Sequence, residues 1–257
     1  MDTVLDGRWR EFLEEELTAY AAMVSEAEQR GLLDRPIRHC PGWTVRELTG
    51  HLIELHYWVA AAIEAADPSQ PVRRDPPPLP ADEELPRAFS ASALTLLAAL
   101  DRDPASASWT FASDHTVGFW QRRQPHEHAI HRWDLELALH GAAQLNEELA
   151  RDGIEEVVGF FWPRQVALGR AEAPDAAVLL RVAVEDHAGE VPGAAATAEW
   201  LIGDPRPEAA DQVPVAVATG TLSQLALLLW GRIDPADLTW EGDRTAGLEV
   251  LARPLAP

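Results

Sequence analysis

The sequence has one cysteine, Cys40, and no basic stretch in its opening residues Met1 to Asp6. A single cysteine excludes an internal disulfide framework. The opening lacks the basic region of a secretory signal. No run approaches the roughly 20 uninterrupted apolar residues that cross a bilayer. These absences predict a cytoplasmic protein. Basic residues are also scarce, at 21 Lys and Arg against 42 Asp and Glu, for a formal charge of −21. Such a surface repels phosphate backbones and anionic headgroups, which argues against nucleic-acid or membrane partners. No internal repeat is present. The charge confers solubility and identifies no substrate.

The 257 residues favour two domains over one, and an apolar fraction of 47% is enough to fill their cores. The first half reads as helices. Leu5 to Arg30 carries apolar residues at helical spacing and is stopped by Gly31. Thr44 followed by Glu47 has the capping-box form and opens a helix to about Ala66. Pro68 to Pro80 is a proline-rich, extended connection, with Pro76 to Pro78 as a rigid spacer. Further helices are predicted over Asp82 to Leu100, over Gln121 to His140 before Gly141, and from Asn146 to Arg170 with a kink at Pro163. After Pro174, Ala177 to Val184, Ala198 to Ile202, Pro214 to Ala218 and Leu238 to Glu241 read as strands. Thr221 caps an apolar helix among them, and a last helix lies near Thr245 to Ala252. The predicted fold class is α+β: an up-and-down helical bundle over residues 1–172 and a small α+β domain over 176–257.

Nine histidines are present, and spacing separates them. Glu127 and His131 are four apart on one predicted helix, so both side chains leave the same face. Asp134 shares that face and is placed to accept the second imidazole N–H of His131. His51, on another helix, shares a stripe with Leu48, Leu55 and Trp58 and points inward. These three residues predict a divalent-metal site, of zinc or a similar ion, in the bundle core. Three protein ligands leave an open coordination position, as catalytic zinc sites do. His126 and His128 lie about 100° to either side of Glu127, and His56 is on another face from His51, so none of the three is expected to be a ligand. Cys40 reads as a small packed thiol, and Trp43 as a residue that seats the loop before the second helix.

The stretch His39-Cys40-Pro41-Gly42-Trp43-Thr44-Val45-Arg46-Glu47-Leu48, followed by His51, resembles the opening motif of the mycothiol-dependent maleylpyruvate isomerase family, part of the DinB-like superfamily. Arg123-Gln124-Pro125-His126-Glu127 with His131-Arg132-Trp133-Asp134 resembles its second metal motif, and Ala150 to Glu156 is also similar to the family. Leu227-Leu228-Leu229-Trp230-Gly231-Arg232 and Glu241-Gly242-Asp243 resemble its C-terminal domain, which is similar to sterol-carrier-type folds. The resemblance implies zinc on His51, Glu127 and His131. It also implies mycothiol, the low-molecular-weight thiol of actinobacteria, as cofactor or co-substrate.

By the same resemblance Arg232 is the candidate for holding an anionic group of the thiol or substrate. Local sequence equally fits an arginine that caps its helix and pairs with Asp234. The implied activity is cis-trans isomerisation of a small unsaturated diacid. A mycothiol S-transferase and a non-catalytic metal-binding or sensor protein are the alternatives. The expected partners are a small thiol and a small substrate, and the chain is expected to be a monomer or weak homodimer.

Overall fold

A computed structural model describes residues 7–74, 78–183, 198–209 and 211–257. Leu5, Pro76, Pro77 and Val184, which figured in the sequence analysis, lie outside the described residues. The chain divides into two compact units, one ending at Leu145 and one beginning at Asn146.

The first unit holds four long helices: α1 (Trp9–Gln29), α2 (Val45–Ala65), α3 (Leu85–Leu100) and α4 (Val117–His140). Helix α2 starts where the capping box places it, with Thr44 extended and its N–H donating to the Glu47 carboxylate at 2.9 Å. The Thr44 hydroxyl bonds the same carboxylate, and these bonds hold Glu47 below the usual carboxylate range. Helix α4 begins a turn earlier than residue 121, because Thr116 accepts from the Phe119 N–H. It continues past Pro125 and ends at Gly141, whose φ of +79° suits the left-handed stop and whose N–H reaches Leu137 O at 2.9 Å.

Apolar faces explain the packing. Helix α2 lies along α3, and α1 lies along α4 and α3, whereas α2 and α4 meet over few residues. Tyr20, Val24, Leu48, Leu52, Ile63, Leu85, Phe89, Leu96, Trp120 and Leu135 are all buried in one cluster. Each large apolar side chain buried there stabilises the unit by roughly 1.5–3 kcal/mol. Tyr20 stacks on Phe89 at 4.7 Å. The Thr49 hydroxyl gives its proton to Val45 O at 2.7 Å, so the Tyr20 hydroxyl donates to Thr49 at 3.2 Å.

The second unit begins with α5 (Glu147–Glu156), a π-helical turn (Val157–Phe161) and α6 (Trp162–Ala167). At Pro163, where the sequence predicts a kink, the helix is preceded by that π-helical turn. Proline lacks an N–H and crowds the carbonyl four residues back, so the ladder widens and the Trp162 N–H reaches Val157 O. A four-stranded sheet follows in the order β2-β1-β3-β4. Its strands are β1 (Ala177–Val182), β2 (Glu199–Ile202), β3 (Pro214–Gly220) and β4 (Thr239–Gly242). β1 and β3 run parallel, and the outer strands are antiparallel to their neighbours. Helix α7 (Leu222–Leu229) opens on a second capping box, Thr221 with Gln224. Helix α8 (Arg244–Leu251) packs on β3 and β1. It comes so close that a Cβ at Gly247 would stand 2.8 Å from the Trp240 ring.

The α+β class expected from the sequence is the one observed. The division differs in place: it falls at 145/146, where the sequence reading put it at 172–176. The helical segment after Asn146 packs on α7 and is tied into the second unit by Trp162 Nε1 to Gly203 O and Gln165 Nε2 to Ala256 O, both 2.7 Å. Periodicity marks a helix but carries no information on which core its apolar face joins. Among the described residues no helix is long and apolar enough to cross a membrane.

Candidate metal centre

The site is built where α2 and α4 approach each other. His51 on α2 brings Nε2 to 3.4 Å from Glu127 Oε1, and His131, one turn after Glu127 on α4, brings its Nε2 to 3.5 Å from the same oxygen. The donor atoms of the three residues all lie within 4.8 Å of one another, close enough for one ion to engage all three. Asp134 is 3.2 Å from His131 Nδ1 through Oδ2. It accepts that N–H, which fixes the tautomer presenting Nε2 to the site. The three residues expected from the sequence are therefore brought together, with Asp134 behind them.

Two further residues complete the surroundings. Arg123, buried and four residues before Glu127, pairs its guanidinium with Glu127 Oε2. That bond leaves Oε1 as the oxygen facing the two imidazoles. The loop Cys40-Pro41-Gly42-Trp43 is a tight turn closed by the Trp43 N–H on Cys40 O at 2.9 Å, with Gly42 at φ +84°. Proline second and a positive-φ glycine third are what a type II turn requires. The turn sets the Trp43 ring 4.9 Å from the His51 ring and 6.4 Å from that of His131, so Trp43 borders the site as well as seating the loop. It also sets the half-buried Cys40 thiol 3.6 Å from Asp134 Oδ2. Cys40, His131 and Asp134 form a second convergent donor group.

The electrostatics favour a cation. Burial opposes ionisation of Glu127, but the Arg123 charge and the bonds from His131 and His51 outweigh it and hold the carboxyl well below its usual range. Burial likewise opposes charge on His131. Its bonds to Asp134, Cys40 and Glu127 outweigh that penalty and raise its pKa well above the ordinary imidazole value. An anionic acceptor thus faces an imidazole that holds a positive charge, and a bound metal would take the place of that proton.

The histidines set aside on spacing lie elsewhere. His126 is buried edge-on against Trp9, with ring centroids 5.7 Å apart. His56 and His128 are buried against each other, Nε2 to Nε2 at 2.8 Å. Neither donor group includes any of the three. Arg232 belongs to the second unit. It follows Gly231 (φ +67°) at the end of α7, where its backbone N–H bonds Leu227 O at 2.8 Å and Nη1 donates to Trp230 O at 2.7 Å.

Two family models match this chain: the mycothiol maleylpyruvate isomerase N-terminal domain over residues 13–136, and that family's C-terminal domain over 148–249. The chain belongs to the mycothiol-dependent maleylpyruvate isomerase family. The two matches fall on either side of the 145/146 division. A crystal structure of a mycothiol-dependent maleylpyruvate isomerase is similar at a TM-score of 0.64 and 15% identity, covering 94% of this chain and 96% of that one. A histidine-to-alanine mutant of such an isomerase gives 0.63 and 13% over the same shares. At these identities the likeness speaks for the fold. Comparison with curated proteins gives no match.

Proposed function

We propose that the chain is a zinc-dependent enzyme that uses mycothiol, or a similar small thiol, to isomerise a small unsaturated diacid of the maleylpyruvate type. The observation that carries this reading is the convergence of His51 Nε2, Glu127 Oε1 and His131 Nε2 within a family named for that chemistry. Two nitrogens and one carboxylate oxygen suit zinc and leave a coordination position open. A dication there would stabilise the thiolate of a bound thiol at neutral pH.

The chain's own residues have defined parts. Asp134 orients His131, and Arg123 holds one oxygen of Glu127 while the other faces the site. Trp43 borders the two imidazoles on one side. Arg232 is assigned to an anionic group of the thiol or substrate. Its guanidinium is anchored at the end of α7 by the bond to Trp230 O, and a planar guanidinium can hold a carboxylate bidentately.

Purified protein loaded with zinc and supplied with mycothiol should isomerise maleylpyruvate without consuming the thiol. Stoichiometric loss of thiol with electrophiles, and no isomerisation, would favour an S-transferase. No turnover of either kind would leave a metal-binding protein. For Arg232→Ala, we expect turnover or thiol affinity to fall tens-fold, about 2 kcal/mol for one charged hydrogen-bonding partner, with metal content and melting temperature nearly unchanged. Full activity with reduced stability would instead make Arg232 a helix cap only.

A further inference from the structure

Beneath the proposed metal triad, α2 and α4 are joined a second time by groups that the proposed chemistry does not use. His56, His128 and Ser92 are each 0% exposed. His56 Nδ1 lies 2.8 Å from Ser92 Oγ on α3, His56 Nε2 lies 2.8 Å from His128 Nε2, and His128 Nδ1 lies 2.7 Å from Gln124 O. The two rings have planes 17° apart and centroids 5.0 Å apart. A centroid separation so much longer than the N···N distance means that edges meet, not faces, which is the in-plane approach an N–H···N bond requires.

The protons have one consistent arrangement. A backbone carbonyl only accepts, so His128 carries its proton on Nδ1 and presents a lone pair at Nε2. Both rings are fully buried, and burial disfavours a charged imidazolium, so two neutral rings share the Nε2···Nε2 bond. His56 must then donate from Nε2, its Nδ1 becomes an acceptor, and the Ser92 hydroxyl turns toward it in preference to Phe89 O at 2.9 Å. The chain runs in one direction: Ser92 to His56 to His128 to Gln124 O.

We infer that this chain is a positioning strut, which fixes the separation and rotation of α2 relative to α4 and so holds His51 opposite Glu127 and His131. The inference rests on the metal reading above. Direct packing between α2 and α4 is sparse, and the edge-on contact of Trp58 with Trp120, 5.4 Å between ring centroids, carries no directional bond. The triad and that contact leave the rotation of α2 weakly fixed. His56 lies five residues after His51, about 7.5 Å along the helix, and supplies a further, directional link. Two apolar side chains of similar volume could fill the same space with little loss of stability. They would lack a preferred direction, whereas a metal site needs its donors held to within about 0.5 Å.

The test uses the full chain, with Co2+ as the probe. His56→Leu/His128→Leu should remain folded, bind Co2+ at least tenfold more weakly by chelator competition, and show an altered Co2+ absorption spectrum. Ser92→Ala should shift both readouts in the same direction by less. His56→Gln, whose amide N–H can replace the Nε2 donor, should recover most of the affinity. Wild-type affinity and spectrum in the double variant would overturn the strut; if that variant does not fold, the same result in Ser92→Ala would do so. Wild-type protein that takes up no Co2+ overturns the metal reading instead. In that event imidazole 15N shifts judge the chain directly: Nε2–H on His56 with Nδ1–H on His128 supports it, and the reverse tautomers refute it.

Discussion

Helices α2 and α4 face each other through histidines twice, and the two meetings have opposite electrostatics. At the outer one, His51 and His131 converge on Glu127 with Arg123 behind it, and the side chains of His51, Glu127 and His131 keep 12–17% of their surface. At the inner one, His56 and His128 meet with a hydroxyl and a backbone carbonyl as their other hydrogen-bond partners, and no surface is left. His131 and His128 are three residues apart on one helix, yet His131 is pushed well above the ordinary imidazole pKa and His128 down to about 4. Residue type and helical spacing are shared; bonds to Asp134, Cys40 and Glu127 outweigh burial at His131, whereas burial prevails at His128.

The largest separation of the two clusters should come from metal analysis. His131→Ala and His51→Ala should lose nearly all bound zinc, whereas His128→Ala should keep about one equivalent at saturating metal despite weaker binding. Loss in His128→Ala with retention in His131→Ala would invert the assignment. Next in size is Glu127→Gln in metal-free protein. It replaces the carboxylate that Arg123 pairs with by a neutral amide, and breaking a buried ion pair from one side costs about 3–5 kcal/mol. Urea unfolding should register that loss, with Arg123→Met/Glu127→Gln recovering part of it, and an unchanged midpoint would mean the pair is solvated.

The smallest effect concerns acid. His128 titrates lower when folded than the roughly 6.5 of an unfolded imidazole, so the unfolded chain takes up the proton more readily. The stability that the neutral pair contributes is therefore complete above about pH 6.5 and falls as pH drops toward 4. Unfolding free energies of metal-free wild type should decline between pH 7 and 5 more steeply than those of His56→Leu/His128→Leu. Parallel declines would show that the pair is not buried neutral.

The outer cluster was largely legible in the sequence, because its information is local. Glu127, His131 and Asp134 declare a shared face by spacing alone, and His51 sits on the apolar stripe of a helix whose start Thr44 and Glu47 mark. Arg123 carried the same kind of signal, four residues before Glu127, and went unread. The inner pair was not legible. Setting aside His56 and His128 as ligands followed from each helix by itself, but their meeting depends on the axial register of α2 against α4, which neither wheel contains. The nearness of Cys40 to Asp134, 94 residues later, likewise had no local sign. The unit boundary was displaced because the segment after Asn146 reads as one more helix of the first half, while its partners Gly203, Ala256 and α7 come late in the chain.

The π-helical turn at Val157–Phe161 has a consequence for chain length. One residue per turn beyond the α ladder advances the helix by about 100° of phase, so Val157–Phe161 behaves as a one-residue insertion absorbed without a loop. The orientation of everything after it depends on that extra residue. Deleting Gly159, beside which a Cβ would meet no other atom within 4 Å, would leave the local surface almost untouched. It would also swing the Trp162 indole out of line with the Gly203 carbonyl that it bonds at 2.7 Å. In this segment, substitutions at the exposed turn are cheap, and a change of length by one residue is transmitted to the edge of the sheet.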